Sequence, residues 1–319
     1  VARETHSRDA QSLRLGTRGS ALALRQATLV QQLLCAAAPA VTTEIRVIAS
    51  LGDHIPDRPL ATLGAQGIFT HTLEQALLDG TIDVAVHSAK DLPSGLAPSL
   101  LIAAVPERDD PHDCIISRQG AGLMDLPEGS SVGTGSPRRA AMLRAVRPDL
   151  AYVPLRGNVD TRRRAALEGR VDAVVLAAAG LHRLGLLDQH AVALPLDVCL
   201  PQAGQGALAL EAQESSSHTG EILRRINNPI ASACLVAERA VLAGLAAGCQ
   251  APVAAYAEPI RPGILQLRAI VCRLDGTLRL YTLQEGPLEQ ATVLGQAAAL
   301  ELKRQGAQEL LQSQRCPTA

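Results

Sequence analysis

The sequence predicts an α/β protein of two similar units followed by a smaller α+β unit, and three observations lead there. Short apolar runs alternate with stretches of helical spacing, and the alternation occurs twice. Charged residues stand where the apolar runs stop, which is where open α/β sheets bind ligands. Beyond about residue 229 the rhythm changes to a long apolar-rich helix and several β runs around an Asp-Gly turn.

In chain order, residues 13–16 read as a strand, 20–37 as an amphipathic helix, 44–49 as a strand and 69–78 as a helix. Residues 82–88 and 100–105 read as further strands. The segment 106–111 is charged and bounded by prolines, so it reads as a linker. The alternation then restarts with strand 131–133, helix 138–146, strand 152–155, helix 161–167, strand 173–177 and a helix from Gly180. Such a rhythm predicts two parallel sheets. Residues 201–206 mark a second crossing, and 207–212 would return a strand to the first unit. A helix over 231–248, β runs at 253–257, 266–273 and 277–283 and a closing helix over 288–312 complete the chain. The expected divisions are a disordered tail at 1–12, a first domain of 13–106 with 207–225, a second of 112–200 and a third of 229–319. The tail is polar and lacks an apolar signal core.

Composition narrows the function. The formal net charge is −1, so no global field draws the chain to nucleic acid or anionic membrane. No apolar run approaches membrane-spanning length. Phe69 is the only phenylalanine and tryptophan is absent, which argues against base stacking on single-stranded nucleic acid. The seven cysteines are far apart and odd in number, which fits neither a zinc site nor a disulfide framework and points to a reducing cytoplasm. The eight histidines show no metal-ligand spacing.

The charged strand ends are the candidate site. Of 30 basic residues only Lys90 and Lys303 are lysines, and Lys90-Asp91 closes the run 82–88 just before Leu92-Pro93. Arginine takes the same place elsewhere: Arg18 after 13–16, Arg138 and Arg139 after 131–136, Arg156 and then Arg162 after 152–155, and Arg183 after 173–180. Ser136-Pro137 reads as an N-cap with proline at the first helical position, a helix start that attracts anions. Two arginines there are mildly unfavourable on structural grounds alone and sensible if carboxylates come to them. Any single arginine is by default a solvated surface residue, and Lys90–Asp91 alone would be a surface ion pair. Arg162-Arg163-Arg164 on a helix reads mostly as a solvated face, with at most one inward, but the five others, Arg18, Arg138, Arg139, Arg156 and Arg183, at strand ends across two sheets are harder to dismiss. Cys249 lies in a small-residue loop, Gly248-Cys249-Gln250, free to hold an adduct. From these residues two readings stay open: a two-lobed α/β clamp for a small dicarboxylate, and a cysteine-nucleophile transferase with no identifiable base.

Seven stretches resemble, in order, the porphobilinogen deaminase (hydroxymethylbilane synthase) family: Thr17-Arg18-Gly19-Ser20, His87-Ser88-Ala89-Lys90-Asp91-Leu92-Pro93, residues 132–139, Leu155-Arg156-Gly157-Asn158, Ala179-Gly180-Leu181, Gly204-Gln205-Gly206 and Gly248-Cys249-Gln250. The resemblance runs from about residue 13 to about 311. It implies two periplasmic-binding-protein-like α/β domains plus a small C-terminal α+β domain. It implies a dipyrromethane cofactor joined to Cys249 by a thioether, onto which four porphobilinogen molecules are added with loss of ammonia before water releases the linear tetrapyrrole. Asp91 matches the family's catalytic aspartate. Arg18, Arg138, Arg139, Arg156, Arg162 and Arg183 match its carboxylate-binding arginines, with Ser20, Lys90, Thr134 and Ser136 helping. Phe69 and the loop 52–67 match its lid. The implied protein is a cytoplasmic, monomeric transferase of porphyrin and heme biosynthesis, with porphobilinogen as its small-molecule partner and no metal, nucleic acid or membrane. Gln66 and His71 stand where the lid commonly has lysines, Pro137 where a leucine is common, and Ala246 and Ala247 where an acidic residue and a glycine are common.

Overall fold

The computed structural model describes residues 11–48, 68–248 and 250–314. Cys249, Gln66 and the loop 52–67 lie outside the described residues, as do residues 1–10 of the expected tail; Phe69 is placed in a helix, but its side chain is not described.

The first unit comprises β1 (Gln11–Thr17), α1 (Ala21–Ala37), β2 (Val41–Val47), α2 (Ile68–Leu78), β3 (Val84–Ser88) and β4 (Leu100–Ala104). Its strand starts at Gln11, two residues inside the segment expected to be a tail. The second comprises β5 (Asp113–Ser117), β6 (Ser131–Gly133), α3 (Pro137–Arg144), β7 (Ala151–Val153), α4 (Val159–Leu167), β8 (Ala173–Ala177), α5 (Ala178–Arg183) and β9 (Ala191–Ala193). β10 (Leu208–Gln213) then enters the first sheet, followed by α6 (Ser217–Arg224).

The two sheets share one plan, β2-β1-β3-β10-β4 and β7-β6-β8-β5-β9. The fourth strand of each comes straight from a crossing between the units and runs antiparallel to both neighbours. The expected all-parallel sheets are therefore mixed. An apolar run shows burial but not direction, and the direction here is set by two chain crossings. β5 and β9 are strands that the alternation did not reveal. β5 is buried at all five residues but opens on an aspartate directly after the charged linker. β9 is a three-residue edge strand with little pattern to read.

α1 shows why its sequence folds as it does. Ser20 caps it, its Oγ accepting from the Ala23 N–H at 3.3 Å. Ala23, Ala27, Val30 and Leu34 form the helical stripe that packs on the sheet, and one member of that stripe, Gln26, is polar.

The third unit is α7 (Pro229–Gly244), a β11 (Val253–Arg261), β12 (Ile264–Cys272), β13 (Arg279–Pro287) meander, and α8 (Ala291–Arg304) and α9 (Ala307–Ser313). The expected single closing helix is broken at Gly306, whose φ is +94°. One sheet face packs on α7 and α8 through Leu265, Leu267, Val241 and Leu302. The other meets α3 through Ala254, Ile270, Ala141 and Met142. α7 also seats Ala231 and Leu235 against Ala89 and Leu92, the residues flanking Lys90-Asp91.

The crossings run side by side. The Asp109 N–H donates to the Gly206 carbonyl at 3.1 Å. Gly204 and Gly206 have φ of +75° and +86°, and a Cβ on them would sit 2.9 Å from the Lys90 nitrogen and 2.3 Å from the Asp109 carbonyl oxygen. Only glycine serves at both places. A buried clamp ties this hinge to the third unit. Arg108 donates to both oxygens of Glu238, at 2.6 and 3.2 Å, and to the Gln205 carbonyl at 2.9 Å. Glu238 also accepts from the backbone N–H groups of Gly204 and Ala257.

Candidate functional site between the two sheets

β3 ends at Ser88, and a single 3-10 turn, Ala89–Asp91, presents Lys90 and Asp91. Asp91 lines a hollow with Arg18, Ser20, Gln26, His87 and Ser88. Its carboxylate is exposed, with no hydrogen bond or ion pair among the described residues. Gln26, buried on α1, donates from Nε2 to Ser88 Oγ at 2.7 Å and so fixes the strand end. Behind it, buried His87 meets the fully buried Glu211 of β10 at 3.0 Å.

A second hollow shares Gln26 and Ser88 with the first and adds Lys90, Gly180, Arg183, Gly204 and Gly206. Lys90 Nζ donates to Gln205 Oε1 at 3.2 Å. Burial, followed by the charge of Arg139, pushes the Lys90 ammonium down to about 8, with Asp91 and Asp113 opposing.

Across the cleft, Ser136 caps α3 as expected, its Oγ accepting from the Arg139 N–H at 3.4 Å, with Pro137 at the first helical position. Thr134 Oγ1 accepts from the Ser136 N–H at 3.2 Å. A carboxylate does meet the two arginines that follow, and it is the protein's own. Asp113, at the start of β5 and fully buried, receives Arg139 Nη2 at 2.6 Å and Arg138 Nη2 at 2.8 Å. Arg139 also donates to the Val175 carbonyl and Arg138 to that of Leu200. Burial alone would raise the Asp113 carboxyl, but the two guanidiniums outweigh it and hold the group well below the usual carboxylate range. Burial alone would lower Arg138, but Asp113 and Cys199 together outweigh it and raise the guanidinium. The expectation that these arginines have little structural use is thus corrected: they lock α3 to β5.

Arg162 differs. Within the triplet on α4, Arg163 pairs with Asp188 and Arg164 with Asp160, and Arg162 has no such partner among the described residues. Its Nε is buried without a hydrogen-bond partner. Burial, followed by repulsion from Arg139, lowers it to about 10, with Asp91 opposing. Arg183 is buried in the hinge, donating from Nη2 to the Gly206 carbonyl at 2.6 Å and pairing with Asp109 at 3.2 Å. Burial lowers it, Asp109 opposing. Arg18 is half-buried in the first hollow, and Arg156 is exposed beyond β7.

The structure therefore gathers Arg18, Ser20 and Asp91 in one hollow, Lys90 and Arg183 in the next, and sets Arg138, Arg139 and Arg162 within electrostatic reach of the Lys90–Asp91 turn. Thr134, Ser136 and Arg156 line neither hollow. Gln26, Asp113 and Gln205 were not singled out from sequence. Gln26 left a signal, a polar residue on a buried helical stripe. Gln205 stands within the resembling stretch Gly204-Gln205-Gly206 without a role attached to it, and Asp113 left no signal, because its partners lie far away in the chain.

Two family models match the chain: "Porphobilinogen deaminase, dipyromethane cofactor binding domain" over residues 13–221, and "Porphobilinogen deaminase, C-terminal domain" over 232–304. The chain is 47% identical over 297 residues to a porphobilinogen deaminase of Desulforudis audaxviator, covering 93% of this chain and 96% of that one. It is 44% identical to one of Roseiflexus castenholzii, covering 94% and 98%. Among solved structures, the periplasmic VFT2 domain of Bordetella pertussis BvgS aligns at a TM-score of 0.40 and 17% identity over 68% of this chain and 87% of that one, too slight a likeness to bear on function.

Proposed function

Since the chain belongs to the porphobilinogen deaminase family, we propose that its cleft is the place where porphobilinogen units are joined, with Asp91 as the catalytic carboxylate and the surrounding arginines as carboxylate holders. The reaction is that of hydroxymethylbilane synthase: four porphobilinogen molecules are joined with loss of ammonia on a dipyrromethane primer, and water releases the linear tetrapyrrole.

The cofactor fits the residues present. Lys90, Arg138, Arg139 and Arg162 form a coupled group of four cations, against the two carboxylates Asp91 and Asp113. That surplus, with Arg162 in no ion pair among the described residues, suits a ligand bearing acetate and propionate groups. When bound, dipyrromethane supplies a nucleophilic pyrrole carbon as primer. Arg138, Arg139, Lys90, Thr134 and Ser136 would hold its carboxylates, with Cys249 as the attachment point. Arg18, Ser20, Arg156, Arg162 and Arg183 would hold those of the growing chain. Phe69 would cover the cleft from α2.

The observation that carries this reading is Asp91, an exposed carboxylate with no described partner at a strand end facing guanidiniums. Loss of ammonia leaves positive charge on the substrate's pyrrole, and a fixed carboxylate beside the ring N–H stabilises that charge and accepts the proton. A dicarboxylate clamp has no use for such a group. The protein is proposed to act as a cytoplasmic monomer; no helix among the described residues is long and apolar enough to cross a membrane.

Cys249→Ser tests the reading. Serine is a far weaker nucleophile than a thiolate at neutral pH. The variant should show the bare polypeptide mass and almost no ammonia release from porphobilinogen, while wild-type protein should show the mass of two linked pyrroles in addition. Normal ammonia release by the serine variant would overturn the assignment.

A further inference from the structure

We infer that Gln205 is a positioning residue that couples the Lys90–Asp91 turn of the first unit to the Arg138–Arg139 pair of the second. It rests on the site reading above but adds a residue which that reading does not use.

Gln205 lies in the second crossing with no exposed surface. Its Oε1 accepts from Lys90 Nζ at 3.2 Å. Its Nε2 donates to Asp113 Oδ1 at 2.8 Å and to the Pro111 carbonyl at 2.8 Å. Chemistry fixes the orientation of this amide. An ammonium offers only donors, and a carboxylate and a carbonyl offer only acceptors, so the reversed amide would meet like against like on both sides. Asp113 is in turn the carboxylate that holds both arginines. One side chain therefore joins the lysine beside Asp91 to the anchor of the arginine pair.

The backbone is shaped for this role. The left-handed glycines on either side, Gly204 and Gly206, press against Lys90 and Asp109 and leave the intervening side chain pointing inward. Two more bonds tie the same crossing to the turn: Gln202 Nε2 donates to the Lys90 carbonyl at 3.2 Å, and the Ala89 N–H donates to the Ala207 carbonyl at 3.0 Å. The crossing itself is where the two units would rotate about each other. A relay placed there keeps the Lys90–Asp91 end and the arginine wall at one separation, and that separation sets where each new ring meets the reacting carboxylate.

The test is a double-mutant cycle in the cofactor-loaded enzyme, with Gln205→Met, Lys90→Met and both together. Gln205→Met should retain the cofactor by intact mass, lower kcat about 10-fold or more, change KM by less than about 3-fold, and accumulate partly extended chains visible as a ladder of masses. If Gln205 acts through Lys90, the double variant should be within about twofold of the slower single variant. Multiplicative losses, or wild-type kcat and mass ladder in a protein that merely melts earlier, would reduce Gln205 to packing and overturn the proposal. Should Gln205→Met not fold, Gln205→Glu serves. Its carboxylate keeps the acceptor for Lys90 but faces Asp113, so it donates only when protonated. Its kcat relative to wild type should rise as pH falls, and a flat ratio would count against the relay. Failure of the underlying site reading would show separately, as turnover surviving Asp91→Asn.

Discussion

The arginines of α3 and the arginine of α4 belong to one unit and face one cleft, yet they live differently. Arg138 and Arg139 are buried, doubly tied to Asp113 and to strand and loop carbonyls. Arg162 is half-buried, has no ion pair among the described residues, and is lowered by burial, whereas Arg138 is raised. A buried ion pair adds little net stability, but it is costly to break by halves. The α3 wall is therefore rigid scaffold that also offers charge, whereas Arg162 of α4 and Asp91 have no ion pair among the described residues. The difference separates residues that shape the site from residues left over for a ligand.

The largest effect should come from removing the carboxylate on the scaffold side. Asp113→Ala leaves two buried guanidiniums without their anion and should destabilise the protein by about 3–5 kcal/mol, read by denaturant unfolding. Cofactor content should fall with it. Acid should act on the same pair. Because the folded-state carboxyl is depressed, its stabilisation is full above about pH 4, the unfolded carboxylate range, and is lost as pH falls below it. An Asp113→Ala protein as stable as wild type would erase the contrast.

On the ligand side, Asp91→Asn should do the reverse. The side chain is exposed and unpaired, so melting should move little. Turnover should drop on the order of 100-fold or more, as for the loss of a preorganised charge-stabilising group. Retention of more than about a tenth of the wild-type rate would remove Asp91 from the reaction.

Arg162→Leu should sharpen the comparison further. Deleting a desolvated cation with no ion pair among the described residues should leave stability unchanged or raise it, while partly extended chains accumulate and turnover falls. Arg139→Leu should cost stability and cofactor together. Equal stability losses for the two would mean that Arg162 is structural as well.

In the sequence the α3 and α4 arginines both follow strand ends, and what separates their roles is not local. The alternation of apolar runs and helices and the change of rhythm near residue 229 are local patterns, so they were legible. So was the strand-end placement of Lys90, Asp91 and the arginines. What distinguishes Arg139 from Arg162 is Asp113, whose strand lacks alternation and pairs with β8, sixty residues on. The antiparallel insertion of β10 beside β3 aligns Ala209 with His87 across a whole intervening domain, and no local periodicity encodes that. Gln26 is legible as a polar break in a buried stripe.

The smallest effect concerns Lys90, which stands between the two regions. Burial and Arg139 depress its ammonium to about 8 from an ordinary value near 10.5. Between those pH values the unfolded chain binds a proton that the folded chain does not. Stability attributable to Lys90 therefore rises with pH across the window, and the deficit is fully present below pH 8. In the cofactor-free Cys249→Ser background, the wild-type lysine should gain roughly 1 kcal/mol on Lys90→Met from pH 8 to 10.5, a figure kept small because the side chain is only half-buried. In cofactor-loaded protein, bound carboxylates should return the ammonium toward its ordinary value and flatten that slope. Unfolding free energies of the four proteins at the two pH values would decide it. An unchanged slope with cofactor bound would put Lys90 with the scaffold, and the boundary between the two regions would then run between Lys90 and Asp91.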